Sequence, residues 1–314
     1  MFSKQKNMSE EYQNIFSENI YIKYQKQYFQ DLNFSEFLLS GRDIHNNKIE
    51  YPVTLIKSKN LKFLNSYNNP IYLDDLNLTK DTYNKFLKEL HDLSKKENID
   101  IVQFKKKFDE NSLNSMLDAE KKNIEFIGVE KSIDLTESLK SIQKSFSKGH
   151  KSALKIDYKD LRYSLIDRDN YKKNQIFEMM ELHKKISGRY TRSRKTWEIN
   201  EKMILENKGL LLSVKEGLKV ISYSFIFFNK NTSIYFSSCS IREKFKLYKN
   251  ITHKVIWEVI KHMKSIECKK FYLGLTKTLY SKNSIDVKQK NISLFKSSFG
   301  GVKTYYAIFN NIPK

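Results

Sequence analysis

Apolar positions along this chain alternate in some stretches, recur every three to four residues in others, and give way to turn residues often enough to predict many short elements of mixed type. Ser35–Ser40 and Lys48–Ile56 are apolar-rich runs separated by Gly41 and His45-Asn46-Asn47, which predicts two strands in a hairpin with a longer loop. Pro70 forces Asn69 into extended backbone, and Thr79 opens a helix through Phe86, Leu87, Leu90 and Leu93. A strand over Ile99–Phe104, a helix around Asn111–Lys121 and a strand around Ile124–Val129 complete a first α/β unit. Asp134-Leu135-Thr136 then predicts the cap of a long helical stretch carrying Leu139, Ile142, Phe146 and Leu154, with Gly149 as its weak point. That stretch is expected to bridge two halves.

The second half reads as a strand (Tyr163–Ile166), two helices (Gln175–Ile186, Thr196–Glu206) and three successive strands (Gly209–Val214, Leu218–Phe228, Ser233–Ser240). A helix over Ile251–Ile266, with its cap near Asn250, a strand over Lys270–Leu275, a helix carrying Lys296 and a strand over Lys303–Phe309 follow. In the Lys296 helix, Ile292, Phe295 and Phe299 share one face at spacings of three and four, and Lys296 projects from the edge of that stripe. Gly300-Gly301 supplies the helix stop. A cation held there is expected near reacting groups; the competing expectation is a lysine at the end of an amphipathic helix that runs its stem along apolar surface to reach water.

Composition narrows the class. The chain has 314 residues, 39% of them apolar, enough to bury a sizeable core in one large or two moderate domains. Its longest apolar runs fall far below the roughly 18 residues a membrane helix needs, and Met1–Glu11 lacks the apolar core of a signal peptide, so a cytoplasmic location is expected. Cys239 and Cys268 are the two cysteines, outside any CxxC or Cys/His spacing, so neither a disulfide scaffold nor a metal site is expected. Cys239 sits in a strand-like run and reads as a buried, unreactive thiol.

The net charge of +21 points to a polyanion, but lysine supplies most of it, in a chain also rich in Asn and Ile. Arginine placement is more selective. Arg189, Arg192 and Arg194 fall in one short segment, Ser187–Trp197, beside hydroxyls and aromatic rings, a combination suited to phosphate and to a base or sugar face. The competing expectation is a solvated basic loop with Tyr190 and Trp197 packed inward. No P-loop or dinucleotide fingerprint occurs, which disfavours hydride and phosphoryl transfer.

Strand, helix pair, three-strand meander, helix, strand, helix and strand is the element order of the GNAT acyltransferase fold. With Tyr67-Asn68-Asn69-Pro70, Ile133-Asp134-Leu135-Thr136, Lys144–Lys155, His253–Trp257, Phe271-Tyr272-Leu273-Gly274, Phe295-Lys296 and Phe299-Gly300-Gly301 in view, the chain resembles the Fem aminoacyl and peptidyl transferases and the FemAB-like GNAT acetyltransferases over nearly its whole length. The resemblance implies an α/β chain with two tandem GNAT-like domains, 1–133 and 161–314, joined by a helical segment, 134–160. It further implies transfer of an acyl group to an amine, from acyl-CoA such as acetyl-CoA or from aminoacyl-tRNA. The acceptor expected is a small-molecule or lipid-linked amine, on an aminosugar or cell-envelope precursor.

By that likeness Lys296 holds the family's catalytic-site lysine position, where a cation stabilises the oxyanion formed on attack. A backbone N–H from Ser233–Ser240, splayed from its neighbour, is a second expected donor. His253 and His183 are the candidate bases, each also explicable as a structural histidine. Tyr67, Asn68, Asn69, Trp197, Tyr235 and Phe295 are expected on the acceptor side, and Arg189, Arg192, Arg194, Lys246 and Lys249 on the donor or its phosphates. One departure stands out: Arg242–Asn250 has none of the glycines with which GNAT enzymes hold the CoA pyrophosphate, leaving the helix start at Asn250 with Lys246 and Lys249 to bind phosphate. A non-catalytic RNA- or polyanion-binding module is the alternative from another class.

Overall fold

The computed structural model describes residues 19–28, 34–57, 61–66, 71–73, 76, 78–120, 122–284 and 287–311. Tyr67, Asn68 and Asn69 therefore lie outside the described residues. The chain forms two compact units: one of the described residues up to Glu130 with those of 277–290 and 304–311, the other of Lys131–Thr276 and Asn291–Lys303. Residues 134–160, expected as a connection, fall inside the second unit.

In the first unit, helix α1 (Asn19–Tyr28) precedes a four-stranded sheet ordered β1-β2-β3-β5, from β1 (Phe34–Arg42), β2 (Lys48–Lys57), β3 (Lys62–Asn65) and β5 (Ile101–Val102). The β1–β2 hairpin turns at Asp43, whose carboxylate accepts from the Asn47 and His45 backbone N–H groups at 2.8 and 2.9 Å. Helix α2 (Lys80–Glu97) is capped by the Thr79 hydroxyl and covers this sheet with Phe86 and Leu90, both fully buried. Ile99–Phe104 does not form one strand: β5 ends at Val102, and β6 (Phe104–Phe108) pairs instead with β4 (Ile71–Tyr72) and with β13 (Val302–Phe309). Helix α3 (Leu113–Glu120), entered through a short 3-10 turn, leads to β7 (Ile124–Asp134).

The second unit holds the pattern that positions the site. Its strands run in the order β12-β11-β10-β9-β8, with β8 (Leu161–Ile166), β9 (Gly209–Glu216), β10 (Lys219–Phe228), β11 (Thr232–Ser240) and the first part of β12 (Lys270–Ser281). The meander is antiparallel and β11–β12 is parallel. Helices α6 (Gln175–Ser187) and α7 (Arg194–Leu205) lie on one face, where the Tyr223 hydroxyl of β10 donates to Glu178 of α6 at 2.6 Å. Ile226 and Phe228, on the opposite side of the same strand, join the core built on α9 (Ile251–Ser265) through Val255, Ile256, Val259 and Ile260.

The expected long helix after Asp134 is two short ones, α4 (Leu139–Lys144) and α5 (Lys148–Lys155). Three serines at the caps explain the break: the Ser138 hydroxyl caps α4, Ser145 ends it, and the Ser147 hydroxyl caps α5, so the chain turns before Gly149 is reached. Asp134 caps nothing here; its carboxylate accepts from the Thr136 N–H and hydroxyl. Helix α10 (Val287–Ser297) also stops earlier than the apolar spacing suggests, so Phe299 reaches the core from the following turn while Ile292 stays 44% exposed.

Gly300 and Gly301, at φ +70° and +83°, make that turn possible. A Cβ on Gly300 would stand 2.6 Å from the Ser145 carbonyl oxygen, and one on Gly301 2.5 Å from that of Ser132. Gly301→Ala should therefore lower stability by on the order of 2–3 kcal/mol, read as a fall of about 5–10 °C in melting temperature. Gly149→Ala, whose methyl would meet open space inside α5, should leave stability unchanged or slightly raised.

Candidate active site

The parallel pairing of β11 with β12 is brief. It runs Thr232↔Lys270, Ser233↔Phe271 and Ile234↔Tyr272, and no registered partner follows although both strands continue. Beyond that point β11 carries an irregularity: Phe225 of β10 faces Ser237 and Ile226 faces Tyr235, so Phe236 is the extra residue of a β-bulge. On the other strand, Gly274 takes φ +74°, two residues past the last pair. Past this point the two strands no longer pair with each other, and the bulge re-aims the backbone groups of β11.

Lys296 meets β12 at this glycine. Its Nζ lies 3.6 Å from where a Cβ on Gly274 would stand, so the glycine leaves the ammonium room above β12. The backbone just past Lys296 is held from two sides. The Lys131 ammonium donates to the Ser297 carbonyl at 2.6 Å, closing the end of α10, and the Ser147 N–H donates to Ser298 at 2.9 Å. Burial, with Lys303 nearby, holds the Lys131 pKa below its usual value.

The adjacent Phe295 enters an aromatic nest with His253 of α9, centroids 5.0 Å apart, and with Phe299 at 5.1 Å. His150 of α5 completes it at 4.2 Å from both His253 and Phe299. Phe146 packs edge-on to Phe299 and Trp257. The structure thus packs Phe295, His253 and His150 together, while the ammonium of the next residue, Lys296, lies by Gly274. Tyr235, the first β11 residue past the paired segment, packs against the same core, its phenol raised by burial against opposing hydrogen bonds from Ser238 and Ser224.

His183 belongs elsewhere, on the α6 face. Its Nδ1 lies 3.4 Å from the Thr191 hydroxyl, and its ring is 6.0 Å from Trp197. Trp197 is buried, with the Arg192 guanidinium 5.1 Å over its ring. Arg194 lies over Phe177 and pairs with Glu198, while Arg189 is exposed. Near this loop an open cleft of 650 Å³ is lined by Glu178, Glu181, Lys184, Lys219 and Tyr223, among others. Sequence reading missed Glu178 and Tyr223 because their pairing joins residues 45 apart.

Lys246, within α8 (Lys244–Leu247), and Lys249, just after it, are exposed. Asn250 does occupy the N-cap of α9, yet its amide donates to Ala153 and Ile156 carbonyls and caps no helix N–H. Both cysteines are free and buried, and burial pushes the Cys239 thiol up to about 12. Among the described residues no cluster of His, Cys, Asp and Glu has the makings of a metal site, and no helix is long and apolar enough to cross a membrane.

The fold, rather than the side chains, is what known structures share with this chain. The chain is similar to the crystal structure of FemX, with TM-score 0.62 and 12% identity over 95% of this chain and 92% of that one. It is also similar to L-PGS from Bacillus licheniformis, with TM-score 0.52 and 11% identity over 92% of each chain. A tandem GNAT protein from the clavulanic acid biosynthesis pathway follows at TM-score 0.46 and 7% identity, over 90% of this chain and 84% of that one. No protein-family model and no curated protein sequence matches the chain. The fold is FemX-like.

The histidine pair sets a pH dependence. Burial, then the neighbouring His253, brings the His150 pKa from 6.5 to about 4, against a hydrogen bond with the Phe295 backbone; burial also lowers that of His253. The unfolded chain therefore takes up protons that the folded one refuses, and this contribution is complete above pH 6.5 and lost as pH falls toward 4. Melting temperature should drop across that window, by the equivalent of about 1–2 kcal/mol after solvent screening, and the drop should shrink in His150→Phe.

Proposed function

We propose that this protein is an N-acyltransferase, moving an acyl or aminoacyl group from an activated ester or thioester to an amine. The observation that carries it is the Lys296 ammonium over Gly274, at the point where β11 and β12 part. The amine nitrogen attacks the carbonyl carbon, the carbonyl π electrons move onto oxygen, and collapse re-forms the carbonyl and breaks the C–S or C–O bond, the proton lost by the amine nitrogen passing to the departing thiolate or ribose alkoxide. Charge on that oxygen is met by Lys296 and by a backbone N–H of the bulged β11 segment. Lys296 and its neighbours thus act on the oxyanion. His253 packs too closely among rings to be a strong base, since burial already disfavours its protonated form. An aminosugar or cell-envelope precursor, free or lipid-linked, is the acceptor class we favour.

Lys296→Met should reduce turnover by roughly 10²–10³-fold, the scale of removing one oxyanion donor, with melting temperature within about 2 °C of the parent. Retained turnover would remove the lysine from the reaction.

Aminoacyl-tRNA as the donor is the second reading, favoured by the turn that precedes α9. There the buried Tyr248 hydroxyl donates to both Asp160 and Glu216, placing two carboxylates where a CoA pyrophosphate would need glycine N–H groups. Arg189 and its neighbours then serve the nucleic acid. Arg189→Ala with Arg192→Ala should weaken tRNA binding several-fold and flatten its salt dependence, measured by titration at two salt concentrations. Unchanged affinity and slope would remove this loop from donor binding.

A further inference from the structure

One end of the second unit gathers three chain segments that are distant in sequence. Glu216, at the end of β9, accepts from Lys244 of α8 at 2.5 Å and from the Tyr248 hydroxyl at 2.7 Å. Tyr248 also reaches Asp160, and its ring stacks edge-on to Tyr158 at 4.9 Å. The Asn250 amide fastens the backbone at Ala153 and Ile156. The β9–β10 turn, α8 and the loop after α5 are therefore neighbours, held by a polar network beneath them.

What these segments present outward is aliphatic and basic. Leu218, at the tip of the β9–β10 turn, is 99% exposed, Leu247 is 63% exposed and Ile156 46%. Around them Lys155, Lys159, Lys219, Lys246 and Lys249 are exposed, and among the described residues none makes an ion pair. The carboxylates nearby are engaged: Asp157 with Lys254, Asp160 with Tyr248, and Glu216 with Lys244. Exposed Glu243 is the remaining acid of α8 and its N-cap.

We propose that this face docks on an anionic lipid bilayer, with Leu218, Leu247 and Ile156 entering the headgroup boundary and the lysines facing lipid phosphates. Exposed aliphatic side chains in water lose contact with it on entering the interface, and lysines on flexible stems suit a field of mobile negative headgroups. A nucleic-acid surface would use the charge but leave the leucines idle, since single strands are gripped by aromatic stacking and duplexes by phosphate contacts. Glu216 ties the base of the turn to Lys244 and Tyr248. This surface does not depend on the acyl-transfer reading, although a protein working on lipid-linked amines would use it.

The test is flotation of the full chain with phosphatidylcholine vesicles, with and without phosphatidylglycerol. We expect binding only to the phosphatidylglycerol vesicles. Leu218→Ser with Leu247→Ser keeps every charge and should weaken that binding at least roughly tenfold, at unchanged melting temperature. Lys159→Glu with Lys219→Glu should weaken it as well, and should remove most of its salt dependence. Absence of binding to anionic vesicles would overturn the proposal. So would undiminished binding of the double serine variant, which would make the attachment one of charge alone. Displacement of the parent by uncharged tRNA, with the serine variant equally tight on that RNA and on vesicles, would assign the face to nucleic acid instead.

Discussion

Two close backbone approaches govern the second unit. Gly300 lies against Ser145 and Gly301 against Ser132, so near that neither position admits a side chain. That double contact stops α10 at Ser297, turns Phe299 into the core and fixes where the preceding residue pair, Phe295 and Lys296, must point. Phe295 is caught among His253, His150 and Phe299, and Lys296 is left over Gly274. The lysine's position is thus set by packing on one side and by an absent side chain on the other. A long flexible side chain loses considerable rotamer freedom when fixed, and here that loss is met in advance by the fold.

The sheet supplies the complementary half. An ordinary parallel pair would continue its ladder down β11 and β12, burying the backbone groups on which an oxyanion site depends. Here pairing stops after Ile234 and Tyr272, with the bulge at Phe236 on one strand and the positive-φ Gly274 on the other. Each feature is a local defect by the standards of a regular sheet. Together they mark where the β11–β12 ladder ends, on a strand held from the other side by the antiparallel meander.

Much of this was legible in the sequence, for identifiable reasons. The β1–β2 hairpin, α2 with its Thr79 cap, the helix pair, the meander and α9 each have strong periodicity and a turn or cap residue at their ends, so local chemistry and tertiary packing agree. The stretch after Asp134 misled because Leu139, Ile142, Phe146 and Leu154 keep a helical spacing across a break made by Ser145 and Ser147; hydroxyl capping outweighed the apolar rhythm. Ile292 misled likewise, since a helix that ends at Ser297 no longer presents it with Phe299 on one face. The second half of the Ile99–Phe104 run changed sheets, a choice made by distant partners. At the candidate site, resemblance and element order pointed to Lys296 and to β11, and the structure sets the Lys296 ammonium by Gly274 and ends the β11–β12 pairing at Ile234. His150, Gly274, the Phe236 bulge and the Glu178–Tyr223 pair could not be anticipated, because each takes its meaning from a neighbour far along the chain.

The most direct measurement is a search for the amide itself. Purified protein would be given labelled acetyl-CoA and, separately, labelled aminoacyl-tRNA, each with a panel of amine acceptors that includes aminosugars and lipid-linked amines. Products would be read by mass spectrometry. We expect a new amide bearing the donor's acyl group with at least one of the two donors, formed in proportion to protein. Tight binding of either donor with no amide on any acceptor would contradict acyl transfer and leave a binding module built on a transferase fold.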